Sequence, residues 1–509
     1  MTLHQAVREV ADRRPEACAI EETGGPSVSY RELVALADRL AGGLAVRGVG
    51  AGDCVGFALR NSIEYVALIL ATASLGAHYV PLLSGFGEQE VKEALRLTRP
   101  VLLVADREVP AQVPAVPLDR LLSGHPTAEA DRPREGRTPA PGVFRILWSS
   151  GSTGFPKGIA WRQDRFVTER RRWIADTEID DTDVVFCRHP LDVAHATDLH
   201  VFAALLSGAR LVLADPAAPP RVLLRQLAQY RATVTSALPW HYEELIAAAE
   251  PGRGPDLSGL RRALCGGAYL SPAVSLRARE VLGITVREIY GSTEFGLALG
   301  DMSGEGLAPV AGVGTRIEAL PGSAGTGCTD TGCTETGCTE TGCTETGCAD
   351  TGCADTGELV LRSDCTSEGY LENPAANART FRAAEFWTGD MARRLPDGRL
   401  RILGRLTDAL ATPAGPLLAP MLDEELAATG AVAETVSLPV HPQGYRNEVL
   451  VAVRPARAEP AARAAAIAAV TAVLNRHHLH GTVEFVDAVP RTEVGKVNKP
   501  LLRERWGMR

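Results

Sequence analysis

The chain has 509 residues, 45% hydrophobic and 23% charged, with a formal net charge of −9. That length exceeds what one core organises, so two or more domains are expected. The acidic balance argues against a general nucleic-acid or anionic-membrane surface, and no apolar run approaches the ~20 residues of a membrane span, so neither partner is expected and the chain reads as cytoplasmic.

The N-terminal region alternates helix and strand signals, as α/β layers do. Residues 29–47 carry apolar side chains at three- and four-residue intervals behind a serine and an acid in the first turn, which predicts a helix. Gly50-Ala51-Gly52-Asp53 is a turn into a strand at 54–59; its glycines are wrongly spaced for a dinucleotide loop. A second apolar helix covers 65–75, and the Pro-, Asp- and Arg-rich stretch 106–141 reads as a surface excursion. An apolar strand then runs into Ser149-Ser150-Gly151-Ser152-Thr153-Gly154-Phe155-Pro156-Lys157-Gly158. Gly151 and Gly154 let backbone N–H groups turn inward, Ser149, Ser150, Ser152 and Thr153 add hydroxyl donors, and Lys157 adds charge, a composition suited to wrapping polyphosphate. Pro156 stands where a Walker loop needs glycine, so this is a different phosphate loop. The competing reading is a plain Gly/Ser surface turn.

Beyond the loop, the pattern predicts a helix at 163–175, a strand at 184–187, a helix at 197–207 and a strand at 210–214. Strands at 232–238 and 260–265 follow, and 286–289 leads into Tyr290. Residues 313–320 and 358–362 alternate as strands on either side of the segment 326–356, in which Cys328, Cys333, Cys338, Cys343, Cys348 and Cys353 recur every five residues. The segment has no histidine, the wrong cysteine gaps for a metal site, no bulky apolar residue and six acids, so a disordered loop is expected. A strand at 399–403 ends at Gly404-Arg405, a domain boundary. A small α+β domain follows: helix 420–428, strands near 432–440 and 447–453, an Ala-rich helix at 460–477 and a strand at 482–486. His477, His478 and His480 end that helix as capping or surface cations, not metal ligands.

Five further segments join the phosphate loop: Cys265-Gly266-Gly267-Ala268, Tyr290-Gly291-Ser292-Thr293-Glu294, Phe386-Trp387-Thr388-Gly389-Asp390, Gly404-Arg405, and the stretch from Pro490 to Gly495-Lys496. Their order and spacing over nearly the whole chain resemble the adenylate-forming superfamily of acyl-CoA synthetases, aryl-acid ligases, firefly-type luciferases and peptide-synthetase adenylation domains. The resemblance implies an α/β fold: a large multi-layer N-terminal domain of sheets and helices at 1–404, and a small mobile α+β C-terminal domain at 405–509. It also implies ATP and Mg²⁺, activation of a small carboxylic acid as an acyl adenylate with release of pyrophosphate, and transfer to a thiol. That thiol would belong to CoA or to the phosphopantetheine of an acyl carrier protein acting in trans.

Driving one anion onto another requires neutralising groups around the α-phosphate. By resemblance, the loop from Ser149 to Lys157 holds phosphate, Gly266, Gly267 and Ala268 flank adenine, and Tyr290 stacks on it. Within Gly291, Ser292 and Thr293, the threonine contacts phosphate. Glu294 binds Mg²⁺, for which a hard carboxylate is suited. Asp390 takes the ribose hydroxyls, Arg405 contacts ribose or phosphate, and Lys496 bridges the substrate carboxylate and α-phosphate. Thr153, Glu294 and Lys496 are the expected catalytic groups, whereas Lys499 reads as a surface charge.

Two places depart from the family. The hinge position after Gly404-Arg405 is Thr407, where an acid or lysine is usual, and Pro413, Pro416 and Pro420 interrupt the segment that normally lines the pantetheine tunnel. A non-thiol acceptor, or an inactive nucleotide-binding homologue, therefore stands as the alternative. The acyl pocket, expected from Asp192, Val193, His195, Asp198, Gly267 and Gly291, holds Val193 where a histidine is frequent. His195 falls where α-amino-acid domains carry an amine-binding aspartate, which disfavours an ordinary α-amino acid. Asp192 or Asp198 reads an amine or hydroxyl elsewhere on the substrate, or else Thr197 or Asp198 caps an exposed helix start.

Overall fold

Short apolar runs separated by amphipathic helices fold as parallel strands with crossover helices, because a tight turn cannot close a parallel pair. The computed structural model describes residues 1–109, 113–122, 141–149, 156–249, 254–320, 355–441, 446–457, 459–491 and 497–508. Ser150, Gly151, Ser152, Thr153, Gly154, Lys496 and the cysteine repeat as far as residue 354, with its expected disorder, lie outside the described residues. Contacts divide the chain into two compact units: Met1–Val313 with Ser363–Ala384 and Pro490–Arg509, and Gly314–Arg362 with Glu385–Val489.

The first unit is built on two sheets. Among the described residues, the larger runs Ala308–Pro309, Gly296–Gly300, Val286–Ser292, Arg262–Cys265, Val234–Ala237, Val184–Cys187, Arg210–Leu213, Cys18–Glu22 and Ser27–Ser29. Its central strands, from Val286–Ser292 across to Cys18–Glu22, are all parallel. The smaller runs Ala115–Val116, Leu102–Ala105, Cys54–Ala58, His78–Pro81, Val143–Trp148 and Gly158–Arg162, parallel except for the last antiparallel pair. The helix Tyr30–Val46 starts as its sequence requires: Ser29 Oγ accepts the Glu32 N–H, and the Glu32 carboxylate accepts the Ser29 N–H at 2.7 Å. The helix Ile63–Ser74 is apolar on nearly every side because it is buried on nearly every side, against strands of both sheets.

The helix expected at 197–207 is the main correction in this unit. It begins at Ala194–Ala196, loosens to a π-helical turn at Thr197–Val201 and resumes as Phe202–Ser207, ending at Gly208 with φ 90°. Thr197 and Asp198 are buried within it, so neither caps an exposed helix start. The physical reason is Arg145, a fully buried cation on Val143–Trp148, whose Nη2 donates to Asp198 Oδ2 at 2.8 Å while Nη1 donates to Oδ1.

In the second unit, Gly314–Glu318 and Thr356–Arg362 pair antiparallel, as the alternating pattern on either side of the repeat required. Glu385–Arg394 and Leu400–Arg405 extend that ladder. The strands Val432–Pro439, Glu448–Pro455 and His480–Phe485 form a separate sheet with the helices Ala419–Ala428 and Pro460–Arg476. The proline-interrupted segment closes as a hairpin, Ala409–Thr412 with Gly415–Leu418, turning at Pro413-Ala414. At the end of Pro460–Arg476, His477 Nε2 lies 2.9 Å from Glu425 Oε1, and Arg476 also pairs with Glu425. Among the described residues, no helix is long and apolar enough to cross a membrane.

Candidate functional site

A parallel sheet gathers the carboxyl ends of its strands along one edge, and ligands of such sheets bind there. On that edge of the larger sheet, Val184–Cys187 leads into Arg188-His189, and Val234–Ala237 into Leu238-Pro239-Trp240-His241. Arg262–Cys265 leads into Gly266-Gly267, and Val286–Ser292 carries Tyr290 and Gly291 into Thr293-Glu294. From the smaller sheet, Val143–Trp148 delivers Ser149, whose N–H donates to the Lys157 carbonyl at 2.9 Å as the chain returns.

Two glycines are dictated by close backbone approach. A Cβ on Gly291 would lie 2.3 Å from the Gly296 carbonyl oxygen and 3.0 Å from Leu297 Cα, where the register shifts beside Tyr290. A Cβ on Gly266 would lie 2.7 Å from Ile289 Cγ1 and 2.9 Å from the Ile289 carbonyl oxygen. Backbone cannot yield as a flexible side chain does. Gly291→Ala is therefore expected to cost ~1–3 kcal/mol, measurable as a lower urea midpoint; an unchanged midpoint would contradict the packing.

Glu294 is held at several points by residues far away in sequence. Its carbonyl accepts the Ser367 N–H at 3.2 Å, the Thr293 carbonyl accepts the Trp161 Nε1–H at 2.7 Å, and Tyr370 Oη donates to Glu294 Oε1 at 2.9 Å. The Lys157 ammonium lies 4.8 Å from the centre of the same Tyr370 ring. Tyr370 reaches this place because residues 368–371 run along Gly158–Arg162, with Glu368 N–H donating to the Ala160 carbonyl and Leu371 N–H to that of Gly158. Asn377 locks the turn, accepting the Tyr370 N–H at 2.7 Å and donating to its carbonyl at 2.8 Å. One side chain thus presents its face to a cation and its hydroxyl to an anion. Sequence reasoning missed Tyr370, since nothing in local spacing links it to a glutamate 76 residues away.

In the second unit, Asp390 and Arg405 face each other across paired strands, with Arg405 Nε 3.0 Å from Asp390 Oδ1. The Asp390 side chain is 10% exposed and that of Arg405 60%. An ion pair with one partner so open contributes little, ~0–1 kcal/mol, and Arg405 Nη1 also donates to the Thr388 carbonyl at 3.2 Å. The turn beneath them is fixed: Thr388 Oγ1 donates to the Leu359 carbonyl at 2.7 Å and accepts the Asp390 N–H at 3.0 Å, while Gly389 N–H donates to Glu358.

The acyl-pocket candidates separate by what they already hold. Asp192 Oδ2 accepts from the Ser84 N–H at 3.1 Å and from its hydroxyl at 3.3 Å. Burial pushes the Asp198 carboxyl up, but Arg145 outweighs it and holds the group below the usual carboxylate range. Asp198 therefore serves Arg145, and reading a substrate amine would require that buried pair to break. His195 is half-buried, its Nε2 3.0 Å from Ser236 Oγ, and its ring packs beside His189 and His200. Val193 packs, half-buried, against the apolar core. Ser236 and His241, which belong to the same cluster, were not legible in the sequence.

Residues 7–371 match the family described as AMP-binding enzyme. The chain belongs to that family. Members activate acids with ATP as acyl adenylates, so this AMP-binding enzyme is an acyl-adenylate-forming ligase. It is similar to feruloyl-CoA synthase of an Amycolatopsis species, 27% identical over 496 residues that cover 97% of this chain and 96% of that one. It is also similar to triostin synthetase I of Streptomyces triostinicus, 28% identical over 526 residues, 98% and 93% of the two chains. The fold of this AMP-binding enzyme matches ATP-bound MatB from Rhodopseudomonas palustris, with a TM-score of 0.79 at 23% identity over 99% of both chains.

Proposed function

We propose that this ligase, with ATP and Mg²⁺, adenylates a small carboxylic acid and passes the acyl group to the thiol of CoA or of a carrier protein acting in trans. A carboxylate oxygen bonds to the α-phosphorus as the bond to pyrophosphate breaks; the thiolate sulfur then bonds to the acyl carbon and AMP leaves. The observation that carries this reading is the arrangement of Glu294 and Lys157 on Tyr370, beside strand ends that bear Tyr290 and Gly266. It supports a carboxylate for the metal and an ammonium for polyphosphate within one site.

The donor set suits Mg²⁺. Among the described residues, no three His, Cys, Asp or Glu gather as a metal cage. Mg²⁺ is content with one or two carboxylates, phosphate oxygens and its own waters, so Glu294 suffices. The ion, when bound, neutralises phosphate charge. The chain's own groups do the rest: the loop from Ser149 to Lys157 cradles phosphates, and Tyr290 with Gly266, Gly267 and Ala268 holds adenine. Asp390 and Arg405 take the ribose, Thr293 contacts phosphate, and Lys496 meets the attacking carboxylate. The domain boundary is assigned at Arg405, with Thr407 as the hinge.

Tyr370→Phe keeps the ring under Lys157 and removes the bond to Glu294. Losing a partner that orients a metal-binding carboxylate typically costs about 10–100-fold in metal affinity, so the Mg²⁺ concentration for half-maximal exchange is expected to rise about tenfold or more. An unaltered Mg²⁺ titration would remove Tyr370 from the site.

ATP–pyrophosphate exchange across aryl, fatty, hydroxy and β-amino acids tests the whole reading. Label entering ATP only with a particular acid supports it; none with any acid, in protein that still binds ATP, sinks it. The tight hairpin from Ala409 to Leu418 favours one second reading, a non-thiol acceptor. Exchange retained with no CoA- or carrier-linked product would support that instead.

A further inference from the structure

An ion buried in a protein core loses its water and must meet a partner of opposite sign. The first unit buries four such side chains in one line, Arg145, Asp198, Arg170 and Glu169. Arg145 donates to the Asp198 carboxylate, and Arg170 Nη1 donates to the Asp198 carbonyl at 3.1 Å. The rest of the Arg170 guanidinium grips both oxygens of Glu169. Glu169 Oε1 in turn accepts the Leu297 N–H at 2.8 Å. The signs alternate, so the line is neutral as a whole.

Its two ends lie on the elements that deliver the nucleotide motifs. Arg145 stands on Val143–Trp148, the strand that runs into Ser149 and the phosphate loop. Leu297 stands on Gly296–Gly300, the return strand of a hairpin whose first strand, Val286–Ser292, carries Tyr290 and whose turn carries Thr293-Glu294. Gly296 pairs with Ser292 and Leu297 with Gly291, so the amide that Glu169 holds lies just beyond the turn. The fit is close. Gly296 has φ 89°, and a Cβ there would lie 2.6 Å from Glu169 Oε1. The strand closes on the carboxylate with no room for a side chain.

Buried ion pairs are often no more stabilising than apolar residues of the same shape. A fully satisfied polar network does fix relative position, because each member has to meet the next at bonding distance. Trp161 and Ser367 already hold the turn by the Thr293 and Glu294 carbonyls. Glu169 supplies the hold on the return strand.

Resting on the reading of Glu294 as the Mg²⁺ ligand, we propose that Glu169 is a positioning residue for that carboxylate. Through the Leu297 N–H, and braced by Arg170, it sets the hairpin that presents Glu294 to the metal. Arg145 and Asp198 tie that hairpin to the strand of the phosphate loop. Glu169 acts through the main chain, not by contact with the nucleotide.

The test is equilibrium ATP binding, measured by calorimetry with Mg²⁺ and again in EDTA, so that turnover plays no part. The ratio of the two affinities reports the metal's contribution. Partners that orient a metal-binding carboxylate typically contribute about 10–100-fold in metal affinity, so Glu169→Ala is expected to lower the ratio about tenfold or more. An unfolded fraction lowers the number of binding sites and leaves the ratio alone. Glu169→Gln, which keeps an oxygen for the Leu297 N–H, should restore part of the ratio. Gly296→Ala drives a methyl group at the same carboxylate from the other side and should lower the ratio too; it serves if the alanine variant at 169 does not fold. Parent-like ratios in these alanine variants would overturn the proposal. Glu294→Gln separates it from the reading beneath: if that variant also keeps the parent ratio, Glu294 is not the metal's ligand, and that reading falls and takes the proposal with it.

Discussion

Replacing Lys496 with alanine is expected to slow pyrophosphate exchange by about 10²–10³-fold, the usual loss when one preorganised transition-state contact is removed. The carboxylate and the α-phosphate are both anionic, and their repulsion peaks as the new bond forms. A lysine at that meeting point acts mainly on the transition state, so ATP binding should change far less than turnover. Lys499 is the built-in comparison. It opens the helix Lys499–Arg505 behind an Asn498 cap, which is a structural placement, and Lys499→Ala should leave exchange within about twofold. The measurements are exchange at saturating acid and ATP, together with equilibrium ATP binding. Exchange in the Lys496 variant within a few-fold of the parent would remove the lysine from catalysis.

The second large effect is expected in stability. Asp198→Asn strips the counter-charge from Arg145, a guanidinium buried in the first unit with its Cζ 4.2 Å from the centre of the Phe166 ring and close to Phe144 and Trp161. Breaking a buried pair from one side leaves an uncompensated charge and costs ~3–5 kcal/mol. Replacing both partners by apolar residues of similar volume should cost less than the single change, because no charge is stranded. Urea unfolding of the single and double variants decides this; a single variant within about 1 kcal/mol of the parent would show the pair to be inconsequential.

The pH dependence has a definite sign. The carboxyl of Asp198 is held below its unfolded value, so the pair contributes fully above the ordinary carboxylate range and is lost as pH falls through the folded value. Acid should therefore narrow the gap between the parent and the Asn variant. A gap that widens toward low pH would contradict the assignment.

The same aspartate shows where sequence reading stops. Position 198 is legible as a helix and as a polar residue in an apolar neighbourhood, and either a cap or a pocket role follows from that. What settles it is a cation 53 residues earlier, brought alongside by the strand Val143–Trp148. Tyr370 illustrates the same limit: its turn is written locally in Gly369 and Pro374, but its partners Glu294 and Lys157 are not. By contrast, the capping box of Ser29 and Glu32, the strand Val184–Cys187 and the order of the nucleotide motifs needed no tertiary information.

By itself, the sequence determined the alternation of strands and helices, the positions of the glycine-dependent turns and the family-like order of charged motifs, because each depends on neighbours a few residues apart. Only the tertiary structure decided that Arg145 neutralises Asp198, that Tyr370 serves both Glu294 and Lys157, and that His189, His195 and His200 converge on Ser236. Those pairings depend on which strands lie side by side in a sheet, and a charge or ring has no local pattern that names a partner dozens of residues away.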